Sequence, residues 1–175
     1  MIETPKVRDW MTKTVQTLLD TDEMLEAIRR VARQPFPAVP VLDDSGRLVG
    51  LLSEKDVLRT IGNWAYEGIA GGRVGDHMSR LEVQVTPDMD LLTATRAFLE
   101  CNFVCLPVTE GDRLVGRLLR HDVLKGLVEW TITIDAERGQ LMARGGEQER
   151  PTAIEHIQRV AATHTREQLM RVFRR

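Results

Sequence analysis

Two short stretches of this chain place an aspartate at the start of a helix, and they carry its most specific chemistry. In the first stretch, Ser53 precedes Asp56 where an apolar run gives way to a helical pattern. Backbone N–H groups at a helix start lack intrahelical partners and suit phosphate, a serine hydroxyl donates to a phosphate oxygen, and an aspartate accepts from two vicinal ribose hydroxyls. This combination favours nucleotide recognition without catalysis. The same pair also matches a capping box, which would only stabilise the helix, and the sequence leaves both interpretations open.

The second stretch repeats the aspartate without the serine. Asp122 takes the place of Asp56, while Leu119 takes the place of Ser53. An aspartate in a first helical turn gains about 0.3–1 kcal/mol from the helix dipole, so Asp122 alone proves little. Its recurrence nevertheless favours a shared ribose-binding role. Because the hydroxyl is missing, we expect two unequal sites, with the Ser53–Asp56 site binding more tightly.

Both aspartates lie in a longer internal repeat, which indicates duplicated units that stack together. The matching pairs are residues 7–12 with 74–79, 39–41 with 106–108, and 47–58 with 113–124. The first repeat covers about residues 5–62 and the second about 72–130, with a connector near residues 61–73. A duplicated aspartate indicates paired sites rather than one catalytic centre.

Each unit is predicted to run strand, helix, strand, strand, helix, which gives an α+β fold. In the first unit, Asp20 or Asp22 is expected to cap a helix that ends near Arg33. Two strands follow, at residues 38–42 and 48–52, joined by a turn at residues 43–46. The matching strands of the second unit are predicted at residues 104–108 and 113–118.

Composition excludes several classes of protein. The chain has 175 residues and a net charge of −2, which argues against a dedicated nucleic-acid binder. No apolar run approaches the roughly 20 residues that cross a bilayer, and the first ten residues do not look like a signal peptide, so a cytoplasmic protein is expected. Cys101 and Cys105 give no disulfide or metal framework, and the four histidines are scattered. We therefore expect no enzyme activity and no metal site.

Taken together, these motifs make residues 5–130 resemble a pair of CBS domains, the Bateman module. The marks are the Val-x-Asp-x-Met-Thr/Ser segments, Pro40 and Pro107 within strands, and the Gly-x-x-Ser-x-x-Asp run that ends at Asp56. The resemblance implies pseudo-twofold symmetry and two clefts that take AMP, ADP, ATP or S-adenosylmethionine as a regulatory ligand, with no obligatory cofactor. It also implies a homodimer that regulates an unknown protein target in trans. The alternative is a dimerisation or docking platform whose ligand sites are vestigial.

The resemblance also implies roles for individual residues. Asp56 and Asp122 would hold ribose, and Ser53 would touch phosphate or ribose. Strands at residues 14–16 and 82–84 would offer backbone groups to the adenine edge. The other implied ligand-binding residues are Thr14, Val15 and Val83 in those strands, Ala38, Val39, Pro40, Cys105, Leu106 and Pro107 around the ring, and Lys55, Arg120 and His121 facing phosphates. Arg117 departs from the family's apolar strand, and it would either reach a phosphate or lie on an exposed edge.

Residues 131–175 lie outside the repeat and form a C-terminal extension. Residues 131–134 are rich in β-branched side chains and predict a short strand, and residues 139–150 predict a loop. Capping boxes at residues 152–155 and 165–168 predict two short helices. These helices need a surface to cover, either on the module, within a dimer or on a partner.

Overall fold

The computed structural model describes residues 3–35, 37–67, 71–81, 83–143 and 152–163, and it has the α+β fold predicted from the sequence. The first repeat contains α1 (Val7–Trp10), β1 (Leu18–Leu19), α2 (Met24–Arg33), β2 (Ala38–Leu42), β3 (Leu48–Ser53) and α3 (Glu54–Glu67). The second contains α4 (Val74–His77), α5 (Leu91–Glu100), β4 (Cys105–Glu110), β5 (Arg113–Leu119) and α6 (Arg120–Ala143). A further helix, α7 (Ala153–Thr163), follows the second repeat.

The predicted hairpins form in both repeats. Strands β2 and β3 pair antiparallel, as do β4 and β5, and each pair has one irregularity in register, after Val41 and after Val108. In the first turn, Oδ1 of Asp43 accepts from the backbone N–H groups of Ser45 and Arg47 at 2.9 and 3.0 Å. These contacts hold the turn that sets the register of β3 against β2.

The strands predicted at the start of each repeat do not form as expected. Residues 14–16 lie outside the strands, and β1 pairs in parallel with the end of β2 over only two residues. Pro40 has no N–H with which β2 could continue that ladder. Among the described residues of the second repeat, Val83 and Val85 each form only an isolated β-bridge at the equivalent place, and the bridge of Val85 is parallel to Val108. The expected strand at residues 82–84 is therefore also wrong, as far as Val83 and Gln84 are described.

The predicted cap of α2 is wrong, whereas its counterpart in the second repeat forms. Glu23 occupies the N-cap of α2 and makes no side-chain capping bond. Oδ2 of Asp22 instead accepts from the backbone N–H of Leu19 at 3.0 Å, which closes a turn before the helix. In α5, Asp90 is the N-cap and accepts from the backbone N–H of Thr93 at 3.0 Å.

The short helix that opens each repeat packs in the core of the other repeat. Val7 of α1 belongs to the core that α5, β4 and β5 build, and Val74 of α4 belongs to the core of α2, β2 and β3. The backbone of Thr12 exchanges two hydrogen bonds with Arg117, at 2.9 and 3.0 Å. In the same way, the backbone of Leu51 in β3 exchanges two hydrogen bonds of 2.9 Å with Ser79, which follows α4. This exchange ties the two repeats together and gives the pair its pseudo-twofold symmetry.

Two glycines permit these close crossings. A Cβ on Gly50 would lie 2.7 Å from the carbonyl oxygen of Ser79 and 2.7 Å from Sδ of Met78. At the equivalent Gly116, a Cβ would lie 3.0 Å from the carbonyl oxygen of Thr12. A side chain at either position would push the opening segment of one repeat away from the last strand of the other.

The extension after the second repeat differs from the expectation. Residues 131–134 continue α6 as helix, so the predicted strand is wrong, and residues 139–143 are helical rather than part of a loop. Trp130 and Ile134 lie one helical turn apart, are both buried, and pack against Ala153 of α7. This packing outweighs the weak β preference of the branched side chains. The capping box at Thr152 and Glu155 is confirmed, while residues 164–175, with the second predicted helix, lie outside the described residues.

Candidate ligand-binding clefts

Asp56 is a buried carboxylate of the first repeat, only 2% exposed, and it accepts several hydrogen bonds. Its Oδ2 accepts from the backbone N–H and the hydroxyl of Ser53 at 2.9 and 2.5 Å. The backbone N–H of Asp56 donates back to Oγ of Ser53 at 3.2 Å, which confirms the capping box. Its Oδ1 accepts from the hydroxyl of Ser79 at 2.9 Å and from Nη1 of Arg59 at 3.2 Å. The carboxylate therefore joins the start of α3 to the opening segment of the second repeat.

This carboxylate lies in the wall of a cavity of about 590 Å³, which we call the first cleft. Such a volume falls within the range of about 300–1,000 Å³ that is usual for small-molecule sites. The first cleft is lined by Pro37, Ala38, Ser53, Glu54, Lys55, Asp56, Arg59, Ser79, Arg80, Val83, Glu100, Cys101, Asn102, Phe103 and Val104. Acidic and basic side chains are balanced in this lining. The lining therefore offers both hydrogen-bond donors and acceptors to a ligand.

Five of the site residues predicted from the sequence line this cleft: Ala38, Ser53, Lys55, Asp56 and Val83. Ala38 also packs against Leu51 and Cys105 in a small cluster that joins β2 and β3 to β4. Cys105 is fully buried in this cluster, and that burial raises the pKa of its thiol to about 11. The thiol is therefore a neutral apolar group at the junction between the repeats.

Other predicted site residues lie elsewhere. Val39 and Leu106 point into the hydrophobic cores of the first and second repeat, because successive strand residues face opposite sides of a sheet. Pro40 is buried in β2, and Pro107 lines a smaller cavity of about 180 Å³. The prediction that Val39 and Leu106 lie beside a ligand is therefore wrong, because both side chains are in the hydrophobic core.

The basic residues beside the two aspartates do not share one position. Lys55 is exposed at the rim of the first cleft, and His121 is exposed on the surface of α6. Arg120 turns away from the groove, because its Nη2 donates to the carbonyl oxygens of Phe98 and Cys101 at 3.3 and 3.2 Å. The expectation that Arg120 faces a phosphate across the central groove is corrected by these contacts.

A second cleft is lined mainly by residues of the first repeat, together with Arg117 in β5 of the second. A cavity of about 500 Å³, which we call the arginine cleft, is lined by Thr14, Gln16, Arg30, Arg33, Gln34, Pro35 and Arg117. Asp122 is half-buried, accepts from the backbone N–H of Leu119 at 3.1 Å, and is not among the described lining residues. Val15 is half-buried beside Thr14. The two clefts therefore differ in their lining residues, while the expected difference in their affinities stays a prediction.

Sequence reasoning missed several residues of the first cleft. The sequence indicates Ser79 only as part of the repeat, in which its hydroxyl matches that of Thr12. Arg59 follows Asp56 by one helical turn, which is a spacing that brings a cation back to a carboxylate. Glu100, Asn102 and Phe103 carried no local signal, because only the fold brings the end of α5 to this cavity.

Within the described ranges, no group of three or more histidine, cysteine, aspartate or glutamate side chains is arranged to hold a metal ion. Among the described helices, none combines the length and the apolar character that crossing a membrane requires.

Comparison with known proteins gives the chain a family. The CBS domain model matches residues 7–63 and again residues 74–129. CBSX2, solved in complex with AMP, is 28% identical, with a TM-score of 0.62 over 71% of this chain and 96% of that one. The CBS domain pair of protein MJ0100, solved in complex with 5′-methylthioadenosine and S-adenosyl-L-methionine, has a TM-score of 0.62 at 18% identity, over 70% of this chain and 95% of that one. This chain therefore shares the fold of that CBS domain pair.

A sequence relative shows how much of a longer protein the match covers. The uncharacterized protein MJ1225 of Methanocaldococcus jannaschii is 29% identical over 119 residues, which is 68% of this chain and 41% of MJ1225. The chain thus spans less than half the length of this relative. The two matches to the family model each span one of the two repeats. The chain therefore belongs to the CBS domain family and carries two CBS domains in tandem.

Proposed function

We propose that the first cleft binds an adenine nucleotide, and that ligand binding there regulates a partner protein. The observation that carries the proposal is the position of Asp56, a buried carboxylate in the wall of a 590 Å³ cleft that lies between the two repeats. The relative solved with AMP, at 28% identity over nearly its whole length, supports an adenosine nucleotide as the ligand class.

The hydrogen bonds of Asp56 indicate how the ribose would be held. Its Oδ2 is committed to Ser53, which fixes the carboxylate at the start of α3. Its Oδ1 is held by Ser79 and by the side chain of Arg59, which is 58% exposed. Ribose hydroxyls are donors of the same kind, so they would replace these two contacts on Oδ1. Arg59, once released, would reach a phosphate at the mouth of the cleft.

The same exchange offers a route for the signal. Ser79 belongs to the second repeat, and its backbone exchanges two hydrogen bonds of 2.9 Å with Leu51 in β3. A ligand that displaces the Ser79 hydroxyl from Asp56 alters one of the contacts that joins the repeats. The resulting shift would reach α3 through α4, where Nδ1 of His77 lies 3.2 Å from the hydroxyl of Thr60.

We propose no catalytic turnover for this site. The groups around Asp56 hold it by hydrogen bonds at the start of a helix, and the balanced charges of the lining suit binding rather than bond cleavage. Incubating the protein with ATP and following ADP and AMP tests this point. Protein-dependent hydrolysis that disappears in Asp56→Ala would overturn it.

The test of ligand binding is calorimetry with AMP, ADP, ATP and S-adenosylmethionine. Loss of the ribose contacts in Asp56→Ala should cost about 1–3 kcal/mol, or roughly 5- to 150-fold in affinity. Asp122→Ala is the matched control, because its carboxylate does not line the first cleft, and its effect should be smaller. Equal losses in the two variants would contradict the unequal clefts. Circular dichroism must first show that both variants are folded.

A second function has its own supporting observation. Exposed apolar side chains at equivalent places on α3 and α6 include Leu58, 71% exposed, and Leu124, 58% exposed. Val128 and Ile132 extend this surface along α6. Such a surface suits a homodimer or a docking platform, which would not need a ligand. Sedimentation tests the dimer, which Leu124→Glu should dissociate. If the protein binds none of the four ligands, the platform is favoured.

A further inference from the structure

An apolar groove lies between α5 and α6 of the second repeat. It has a volume of about 370 Å³, and we call it the α5/α6 groove. Phe98 and Val123 form its buried part, whereas Leu99 and Leu124 are 80% and 58% exposed. The rest of its lining is Thr95, Cys101, Asn102, Arg120 and Leu127. Large aliphatic side chains gathered on a concave surface are typical of a docking site.

The walls of the groove are fixed by Arg120 at the start of α6. Its Nη2 donates to the carbonyl oxygens of Phe98 and Cys101, and its guanidinium lies 5.9 Å from the centre of the Phe98 ring. These contacts tie the end of α5 to the start of α6. The groove is therefore preformed, so a segment that docks there need not reshape it.

The groove begins where the packing of α7 on α6 ends. Ala153, at the start of α7, is buried with Trp130 and Ile134 of α6. Leu127, one helical turn before Trp130, packs against the same cluster and also lines the groove. The surface that α7 covers is thus continuous with the groove.

The direction of α7 carries the chain towards the groove. Ile157 and Val160, which follow Ala153 by one and two helical turns, pack against the same cluster. On the far side of Ile134, in contrast, residues 135–137 of α6 are exposed. These observations indicate that α7 runs back along α6 towards its start. The end of α7 then lies on the side of the groove.

The chain that follows α7 has a suitable length and pattern. Residues 164–175 lie outside the described residues, and their sequence predicts a helix from the capping box at residues 165–168. Leu169, Val172 and Phe173 fall on one side of that helix. Twelve helical residues would span about 18 Å, whereas the groove runs for about 10 Å along α6.

We propose that residues 164–175 dock in the α5/α6 groove of their own chain, with Leu169, Val172 and Phe173 covering Leu99 and Leu124. The tether to α7 favours this occupant over a free partner, because a short linker gives an effective concentration of about millimolar. The inference goes beyond the proposed function, since it needs no ligand in the first cleft. The docked segment would withhold Leu124 from any other partner.

The first test is a double-mutant cycle on the full chain, followed by thermal unfolding. Phe173→Ser should lower the Tm by about 3–6 °C, because it removes apolar contacts in the groove. In a Leu99→Ser background, the same change should lose at least about half of its effect, since its partner is already absent. Arg171→Ser, on the opposite side of the predicted helix, is the matched control and should shift the Tm by less than about 1 °C.

The second test is disulfide trapping, which identifies the occupant. Leu99→Cys and Phe173→Cys are combined in a Cys101→Ser background, because Cys101 also lines the groove. Oxidation of a mixture of ¹⁵N-labelled and unlabelled protein should link these positions within single chains, as peptide mass spectrometry can show. Leu58→Cys on α3, a position 71% exposed in the wild type, replaces Leu99→Cys in the control and should link about tenfold more slowly or less.

The outcomes decide between occupants without reference to the nucleotide. Links formed mainly between labelled and unlabelled chains would assign the groove to a second copy and overturn the inference. Equal rates of linking at Leu99→Cys and Leu58→Cys, or Tm shifts of Phe173→Ser and Leu99→Ser that simply add, would also overturn it. None of these results depends on AMP binding, so the proposed function would stand or fall separately.

Discussion

Replacing Asp56 with alanine should destabilise the protein far more than the same change at Asp122. The change removes the reciprocal contacts with Ser53, the bond from Ser79 and the contact with Arg59. Loss of a cap costs about 0.5–2 kcal/mol, and loss of a hydrogen bond to a buried charge costs about 1.5–3 kcal/mol. The Arg59 contact adds little, because that side chain is more than half exposed.

These contributions give a total of about 2–5 kcal/mol for Asp56→Ala. For a chain of this length, 1 kcal/mol corresponds to about 2–4 °C in Tm, so the midpoint should fall by roughly 4–20 °C. Asp122 makes one capping contact, with the backbone of Leu119, and its replacement should cost about 1 kcal/mol. Ser79→Ala removes only the bridge to the second repeat and should cost less than Asp56→Ala.

The measurement is urea unfolding followed by circular dichroism, without ligand, for the wild type and the three variants. The m-value should stay constant, because the same surface is exposed on unfolding. Equal losses of stability for Asp56→Ala and Asp122→Ala would refute the reasoning, since the carboxylate network of the first repeat would then contribute nothing beyond an ordinary cap. No effect of Ser79→Ala would show that Asp56 does not join the repeats.

Three further predictions follow from separate parts of the molecule. Gly50→Ala should destabilise the protein, because its Cβ would meet the opposite repeat's backbone at 2.7 Å, whereas Gly62→Ala in open space on α3 should stabilise it by up to about 1 kcal/mol in urea unfolding. Hydrogen bonds from Ser45 and Arg47 hold the pKa of Asp43 well below its ordinary value, so the ionised carboxylate stabilises the fold at pH values above the unfolded pKa of about 4. The difference in unfolding free energy between wild type and Asp43→Asn should therefore shrink as the pH falls below about 4. A difference that stays constant over this pH range would contradict the prediction. Cys105 is buried and its pKa is raised to about 11, so in the native protein at pH 8 iodoacetamide should label the half-buried Cys101 much faster than Cys105. Peptide mass spectrometry measures the two labelling rates.

Local chemistry predicted much of the fold. The turn at residues 43–46, the hairpins and the capping box of Ser53 and Asp56 depend on neighbours in sequence, and all three form. The strand predicted at residues 131–134 failed because its β-branched side chains continue a helix whose burial depends on α7. Residues 14–16 failed as a strand because a strand needs a partner, and the ladder ends beside Pro40.

The candidate site was predicted only in part, for a similar reason. Ser53 and Asp56 are recognisable from their spacing where β3 meets α3, whereas Ser79 reaches Asp56 only because α4 packs in the core of the first repeat. Nothing in local periodicity indicates that exchange of opening helices. Arg117 could be singled out from the sequence as a departure from an apolar strand, but its burial beside a cavity depends on the contact with Thr12 across the repeats.

A crystal structure of the protein grown with AMP tests the central claim most directly. The account predicts the nucleoside in the first cleft, with ribose hydroxyls within hydrogen-bonding distance of Oδ1 of Asp56 and with the hydroxyl of Ser79 displaced from it. AMP bound away from Asp56, or a first cleft that stays empty at saturating AMP while the bonds from Ser79 and Arg59 to Asp56 persist, would contradict it.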